Sequence, residues 1–550
     1  MRSRRNLSVV TLLAFLALFA CAVLLLVATS AARGNRVAAQ PTARRIVYGL
    51  TLMPSGFDPH INASSELGIP LRSVYDTLVY RDPGSLQFVP GLAESWTVSE
   101  DNLTYTFRLK IGVTFHDGTE FNAQAVAANL DRILDPAMKS QKAVYLLGPY
   151  DHYRVVDKQT IEIVLKQPYA PLLDALSQVY LGMASPTAFR TYDKAQYQFH
   201  QVGTGPFVMM DYIPGDHMTL RRNPNYTWGP TFYEPLAPNS LEEVEFRFFT
   251  DPSTRAPALE SNAAQIMGEL SPTDALLFTG NSEIRLYPQP IPGEPLQFLF
   301  NTRKTPTDKV EVRRALLMAT NRTAVVDAVF QQFSPAAFGP LSAVSPFYEP
   351  KVKDTYPFNA NAARDQLTVL GYGDSNSDKL LDKDGEKLTV VMIVPPWGFA
   401  PQIAQKIQSQ WRDLGITLVI KQVANFAGLV DAAQSGDYNL IAYEDYGLDP
   451  SVLNTIYAST APSNWMKYQS GDLDTWLVQG TVSSDEQTRR NAYAAIQMHV
   501  MEQALILPIR DYVNLNGSRA NISGLSFDAY GWFPLLPNLK IEEPAKTPGG

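Results

Sequence analysis

Between residues 388 and 446 the chain alternates blocks of two periods. KLTVVMIV, ITLVIKQV and YNLIAYED are short apolar runs rich in β-branched residues, and PQIAQKIQSQWRDLG and AGLVDAAQSG lie between them. In the first spacer Ile403, Ile407, Trp411 and Leu414 recur at three- and four-residue steps, the stripe of an amphipathic helix, and Gly415 is a natural stop. Strand, helix, strand, helix, strand at this spacing predicts right-handed crossovers and a parallel sheet covered on both faces. Ligands of such sheets collect beyond the carboxyl ends of the strands. Two loops are therefore expected to face each other there, PPWGFAP after Val394 and EDYGLDP after Tyr443.

Elsewhere the pattern predicts a different texture. TYTFRLK, DKQTIEIVLK and EEVEFRFF alternate with period two, as half-buried strands do, and QVGTGPFVMMDYIPGDHMTLRR reads as a hairpin. Asn122 is placed to cap AQAVAANLDRIL, Asn321 to cap RTAVVDAVF, and Asp308 with Glu311 to open the helix before it. Near the start, a short strand Ile46 to Leu50 is followed by FDPHI and a helical stretch ending in VYDTLVY. DSNSDKLLDKDGE carries Lys379 and Gly385 where a calcium loop needs Gly and Glu, so it reads as a solvated polar hairpin.

A chain of 550 residues, 45% apolar, exceeds the ~250 to 300 residues at which single cores stop growing, so two or three lobes are expected. Residues 1–39 hold five arginines and no acid, with an apolar run from Leu7 to Ala28 long enough to span a bilayer. This segment is a targeting signal: a cleaved leader, a retained anchor, or a lipid-modified leader at Cys21, each of which exports the body. The formal charge of -8 then leaves 41 basic against 54 acidic residues, and an acidic body without a Lys/Arg-rich run argues against nucleic acid. Cys21 is the only cysteine, so no disulfide holds the exported part.

The chemistry-bearing positions gather in NLIAYEDYGLDPS. At the edge of a parallel sheet, Glu444 and Asp445 could hold a cation such as an α-amino group, and Tyr446, Trp397 and Phe399 would offer apolar area with a polar handle. The same acidic strand end also reads as a solvated turn with Asp449-Pro450 opening a helix. The six histidines are scattered, and GxSxG, GxGxxG, GxxxxGK[ST] and HExxH are all missing, so nothing asks for catalysis, a metal or a cofactor.

Several stretches read together resemble the extracytoplasmic solute-binding proteins of ABC importers, in the oligopeptide, dipeptide and nickel-binding family. They are GLAESWTVSEDNLTYTFRLKIGVTFHDGTEFNAQAV, GTGPF with RRNPNY, NTRKTPTDKVEVRRALLMATNR, IQSQWRDLGI, and the Asp449-Pro450 pair, in the family's order from about residue 46 to 540. The resemblance implies an α/β bilobal periplasmic-binding-protein-like fold with mixed and parallel sheets and an additional small α+β lobe. On this chain it implies a discontinuous lobe I (45–79, 201–285 and 510–543), a small lobe II (80–200) and a lobe III (286–509). It implies that an acid before the DP pair receives a peptide's amino terminus, a role open to Asp445 or Glu444. It also points to Tyr145 from lobe II, to Phe399 where one branch has a histidine, and to Ala63 and Ser64, Ala63 standing where relatives carry an acid. Trp96, Phe107, Phe115 and Phe121 read as core, and Gly203 and Gly205 as a tight turn. The implied function is capture of a small solute, a peptide first, by a monomer that closes by a hinge and delivers to a separate permease and ATPase. A metal chelate or glycan-derived cargo, an exported hydrolase and a tethered sensor are the alternatives.

Overall fold

The computed structural model describes residues 44–54 and 56–542, so the expectations placed on residues 1–39 fall outside the described residues. Among the described residues no helix is long and apolar enough to cross a membrane.

Three larger sheets organise the protein. The five-stranded sheet runs Thr417–Gln422, Thr389–Val394, Leu440–Tyr446, Gly293–Phe300, Ile506–Arg510. Its first three strands are parallel, as their spacing in the sequence requires, and the last two join antiparallel. Period-two alternation divides its side chains between two cores. Leu296, Phe298, Val390, Met392, Leu440 and Ala442 pack with Ile403, Ile407 and Trp411 of the helix Ala400–Arg412. Leu299, Ile393 and Ile441 pack on the opposite face with Leu473, Leu477 and Ile496 of the two longest helices near the chain's end. Trp411 is fully buried, and its indole donates to Thr320 Oγ1 at 2.9 Å, so the largest side chain of the stripe leaves no orphaned donor.

A seven-stranded sheet collects Arg45–Leu50, Phe207–Ile213, His217–Arg222, Glu243–Phe248, Ile266–Met267, Ile284–Pro290 and Val513–Arg519 from three separated stretches. A four-stranded antiparallel sheet of residues 93–98, 104–109, 160–165 and 150–155 carries the alternating strands read from TYTFRLK and IEIVLK. Phe107, Phe115 and Phe121 are buried and Trp96 partly so, in a core continuous with that of the seven-stranded sheet. Asn122 and Asn321 cap their helices by accepting from Ala125 N at 3.1 Å and Ala324 N at 3.0 Å. The polar hairpin appears as two-residue strands at Asp382–Lys383 and Glu386–Lys387.

Two local expectations change. The helix expected to open at Asp308 starts at Val310 after Lys309, with no side-chain cap. VYDTLVY is not helical: the helix Gly68–Leu71 ends before it and Val79–Arg81 is a strand. The reason is that Gly205 N and Phe207 N donate to the carbonyls of Val74 and Ser73 at 2.9 Å, which takes those carbonyls away from a continuing helix. Gly203 and Gly205 permit this contact where the chain bends, since a Cβ on either would lie 2.1 to 2.5 Å from those carbonyl oxygens.

Candidate ligand-binding site

A further correction concerns the acidic stretch itself. Glu444, Asp445 and Tyr446 belong to the strand Leu440–Tyr446 and do not form a loop after it. Gly293 and Glu294 extend it by pairing with Tyr446 and Asp445 from a strand 150 residues earlier in the chain. Glu294 and Asp445 are therefore direct cross-strand neighbours, and Glu444, one residue before Asp445 on the same strand, points to the opposite face. Glu294 is 1% exposed, has one oxygen without a partner, and takes only a long bond from Gln297 Nε2 at 3.3 Å. Burial, then the Asp445 charge, pushes its carboxyl well above the usual range. Asp445 is raised by burial as well, opposed by the Tyr446 backbone N–H, which donates to it at 2.8 Å, by Lys142, and by Tyr443. Glu444 is raised by burial against the Arg510 charge, and one of its oxygens also lacks a partner.

The other sequence-derived positions fall into three places. The loop after Val394 lies beside the acidic strand, because a Cβ on Gly398 would sit 3.2 Å from Glu444 Oε1. The two loops are neighbours on one wall rather than facing walls, since their strands are adjacent and parallel. Trp397 is 38% exposed there, whereas the Phe399 ring packs edge-on against Phe330 at 5.4 Å and joins the core beneath. Ala63 and Ser64 belong to a different wall: their carbonyls accept from Tyr180 OH at 3.4 and 3.1 Å. Tyr145 stands on a short helix of that wall and is 77% exposed. Tyr446 turns inward, with Tyr512 and Trp532 each 5.3 Å from its ring centroid, so the acidic strand touches the chain's last segment.

Sequence reasoning missed the residues that link these walls. Lys142 holds its ammonium 4.4 Å over the Tyr180 ring, and its pKa is lowered by burial and raised by the charges of Asp445 and Asp174. Arg510 lies over both Phe330 and Tyr512. Tyr512 OH donates to Glu269, beside a small hollow lined by Thr51, Glu66, Glu269, Asn516 and Trp532. Ala170 N donates to Thr481 O at 2.9 Å and joins the small sheet's domain to the helix Gly471–Val482. Asp449, the turn opener, accepts from Ser451 N at 2.9 Å and grips Arg489 with both oxygens at 2.8 and 2.9 Å. A separate surface hollow of ≈ 360 Å³ lies beside Arg132 and Phe189, and Arg132 there is committed to Asp58 at 2.5 Å. Among the described residues no cluster of three His, Cys, Asp or Glu could hold a metal.

Residues 87–467 match the model of the bacterial extracellular solute-binding proteins, family 5. The chain belongs to this family. It is similar to the glutathione-binding protein GsiB of Shigella flexneri, 28% identical over 451 residues that cover 79% of this chain and 82% of that one, and to GsiB of Escherichia coli K12 at the same identity and coverage. Among solved structures it resembles NikA of Brucella suis in complex with Fe(III)-EDTA (TM-score 0.80, 23% identity, 90% of this chain and all of that one). It also resembles DppA of Helicobacter pylori in complex with the peptide STSA (TM-score 0.72, 21% identity, 91% and 98%). These likenesses make the fold the bilobal one of periplasmic binding proteins, with mixed parallel and antiparallel sheets. As a family member the protein is the extracytoplasmic solute-binding component of an ABC importer and works with separate permease and ATPase components.

Proposed function

We propose that the protein captures a short peptide between the wall built from Glu294, Glu444 and Asp445 and the wall built from Ser64, Lys142 and Tyr180. On this reading Asp445 takes the peptide's α-amino group, as a buried carboxylate gains most from a charged hydrogen-bond donor that replaces its lost water. Glu444 stands next in line with an unpartnered oxygen. Ala63 and Ser64 supply backbone and small side chains, Trp397 and Tyr145 supply exposed aromatic area, and Phe399 and Tyr446 support the wall from within.

The observation that carries the reading is the position of Asp445. It sits half-buried at a corner where another carboxyl is orphaned, and it is subject to a lysine from a part of the chain 300 residues away. A ligand that touches both walls stabilises their approach, and one that touches a single wall leaves the equilibrium unchanged. The curated relatives are named for glutathione and one structural neighbour holds a tetrapeptide, which makes peptides the class to test first.

The lobes follow the sheets on this proposal: 45–79, 201–285 and 510–543 with the seven-stranded sheet, 80–200 with the four-stranded one, and 286–509 with the five-stranded one. Residues 1–39 export the chain or tether it to the membrane, the rest works as a monomer, and no bond is made or broken in the cargo. Native mass spectrometry of the purified protein, followed by sequencing of what co-purifies, tests the cargo. Recovery of peptides that Asp445→Asn no longer retains supports it. A non-peptide cargo, or equal retention by Asp445→Asn, refutes it.

A further inference from the structure

Beneath the aromatic cluster, two deeply buried polar side chains each keep an atom without a partner among the described residues. Asn516 is 1% exposed; its amide nitrogen donates to Tyr287 O and Asn514 O at 3.4 and 3.2 Å, while its Oδ1 is unpaired. Trp532 is 9% exposed, and its Nε1–H is unpaired. Both line one hollow with Glu66, Glu269 and Gly268. A Cβ on Gly268 would meet only Asn516 Oδ1 at 3.3 Å and Asn514 Oδ1 at 4.0 Å, so the orphaned oxygen looks into the hollow. The hollow measures ≈ 10 Å³, room for about one water molecule.

An orphaned donor and an orphaned acceptor in the interior are costly, and a water that reaches both removes the cost. Such a water has two further bonds to make, and the two acids that line the hollow supply them. Burial and the Glu269 charge push the Glu66 carboxyl up to about 7, and its bonds from Thr51 Oγ1 and Thr51 N are long, at 3.2 and 3.3 Å. While Glu66 keeps its proton, the water accepts from Trp532 and Glu66 and donates to Asn516 and Glu269, which satisfies every group. Once Glu66 ionises, three acceptors compete for two water hydrogens, and a second negative charge stands beside Glu269. The other titratable groups facing Glu66 are Tyr48 on the strand Arg45–Leu50 and Arg255 on the helix Arg255–Glu260, whose charge acts on both acids. Arg255 donates to the carbonyls of Phe249, Glu269 and Thr51 at 3.0, 2.9 and 3.2 Å, and Tyr512 OH donates to Glu269.

We infer that this hollow is a binding site for one water molecule, which accepts from Trp532 and the Glu66 carboxyl and donates to Asn516 and Glu269, so that the Glu66 proton latches the chain's last segment beneath the acidic strand. The link to that strand is direct packing: the Trp532 ring lies 5.3 Å from Tyr446 and 5.5 Å from Tyr512. The latch is independent of the cargo, so it stands whether or not the guest is a peptide.

The test is fluorine NMR of the purified protein labelled with 5-fluorotryptophan, the Trp532 signal being the one lost in Trp532→Phe. From about pH 5 to 9 that signal moves with a midpoint near 7. Glu66→Gln, which has no proton to lose, abolishes the movement, and Glu269→Gln, which removes the charge that raises Glu66, lowers the midpoint. Gly268→Ala fills the hollow and leaves every charge in place, and it reduces the movement to less than half. The other tryptophan signals report whether each variant is folded. A Trp532 signal that does not titrate in the parent, that titrates equally in Glu66→Gln, or that keeps its full movement in folded Gly268→Ala overturns the inference. A crystal structure of the parent grown below the midpoint decides the occupant without any variant: one water within hydrogen-bond distance of Trp532 Nε1 and Asn516 Oδ1 is expected, and a dry hollow overturns the inference.

Discussion

Glu66 offers a quantitative check on the polar chemistry beneath the aromatic cluster. Its side chain is 3% exposed, accepts from Thr51 Oγ1 at 3.2 Å and Thr51 N at 3.3 Å, and borders the hollow that Glu269 and Trp532 also line. Burial, then the Glu269 charge, pushes its carboxyl from the ordinary 4.5 up to about 7. The native state therefore holds this proton over a range where the unfolded chain has lost it, and stability falls as pH rises from the unfolded pKa to the folded one. At about 1.36 kcal/mol per pKa unit, the penalty is complete near pH 8 at roughly 3 kcal/mol and is only about 0.8 kcal/mol at pH 5. Glu66→Gln removes this penalty. It also replaces one acceptor by an amide N–H that faces a Thr51 donor, a loss of about 1 kcal/mol at any pH. The variant is thus expected to match the parent near pH 5 and to exceed it by about 2 kcal/mol at pH 8. Urea unfolding at the two pH values measures both numbers. An equal effect of the substitution at pH 5 and pH 8 would refute a buried, proton-holding Glu66.

Other consequences follow from the same packing and electrostatics. Trp411→Ala empties a fully buried site and removes the indole donor from Thr320 Oγ1, which keeps its bond to Leu316 O, so it is expected to cost about 3 to 5 kcal/mol in urea denaturation, and a loss below about 1 kcal/mol would contradict the two-faced core. Asp449→Ala removes a helix cap and leaves the mostly buried Arg489 without its carboxylate, an expected loss of about 3 kcal/mol that Asp449→Asn, which keeps the cap, only partly repeats. Because burial raises Asp445 above the ordinary 3.8, the affinity for peptides with a free amino end should decline on acidification with a midpoint above that value. Peptides acetylated at that end should show no such midpoint in calorimetry across pH 4 to 8, and the same midpoint for both sets would remove Asp445 from the role.

The sequence made the periodic parts of the fold legible because each face of a strand or helix commits its residues to one core. The strand–helix–strand pattern around Trp411, the alternating TYTFRLK strand and the asparagine caps at 122 and 321 are local consequences of that rule. What stayed hidden depends on partners distant in the chain. The strand carrying Asp445 runs on to Tyr446 because Gly293 and Glu294 pair with it, and VYDTLVY does not continue the helix because Gly205 and Phe207 take the carbonyls of Val74 and Ser73 at its start. In the site, the acidic stretch was visible as a cluster. Lys142 is one lysine in a polar run, and only the fold brings it under the influence of Asp445. Glu294 left a faint signal, a carboxyl inside the apolar run GEPLQFLF, where every residue is buried.

The account's central claim is that a guest is held between two walls and draws them together. Cys21 is the only native cysteine, so in a Cys21→Ser background spin labels on cysteines placed at exposed Ile111, in the small-sheet domain, and exposed Val369, beside the five-stranded sheet, report the separation of the walls by double electron–electron resonance. Addition of a peptide that calorimetry shows to bind is predicted to shift the distance distribution to a single shorter population. A bound peptide that leaves the distribution unchanged would contradict the claim.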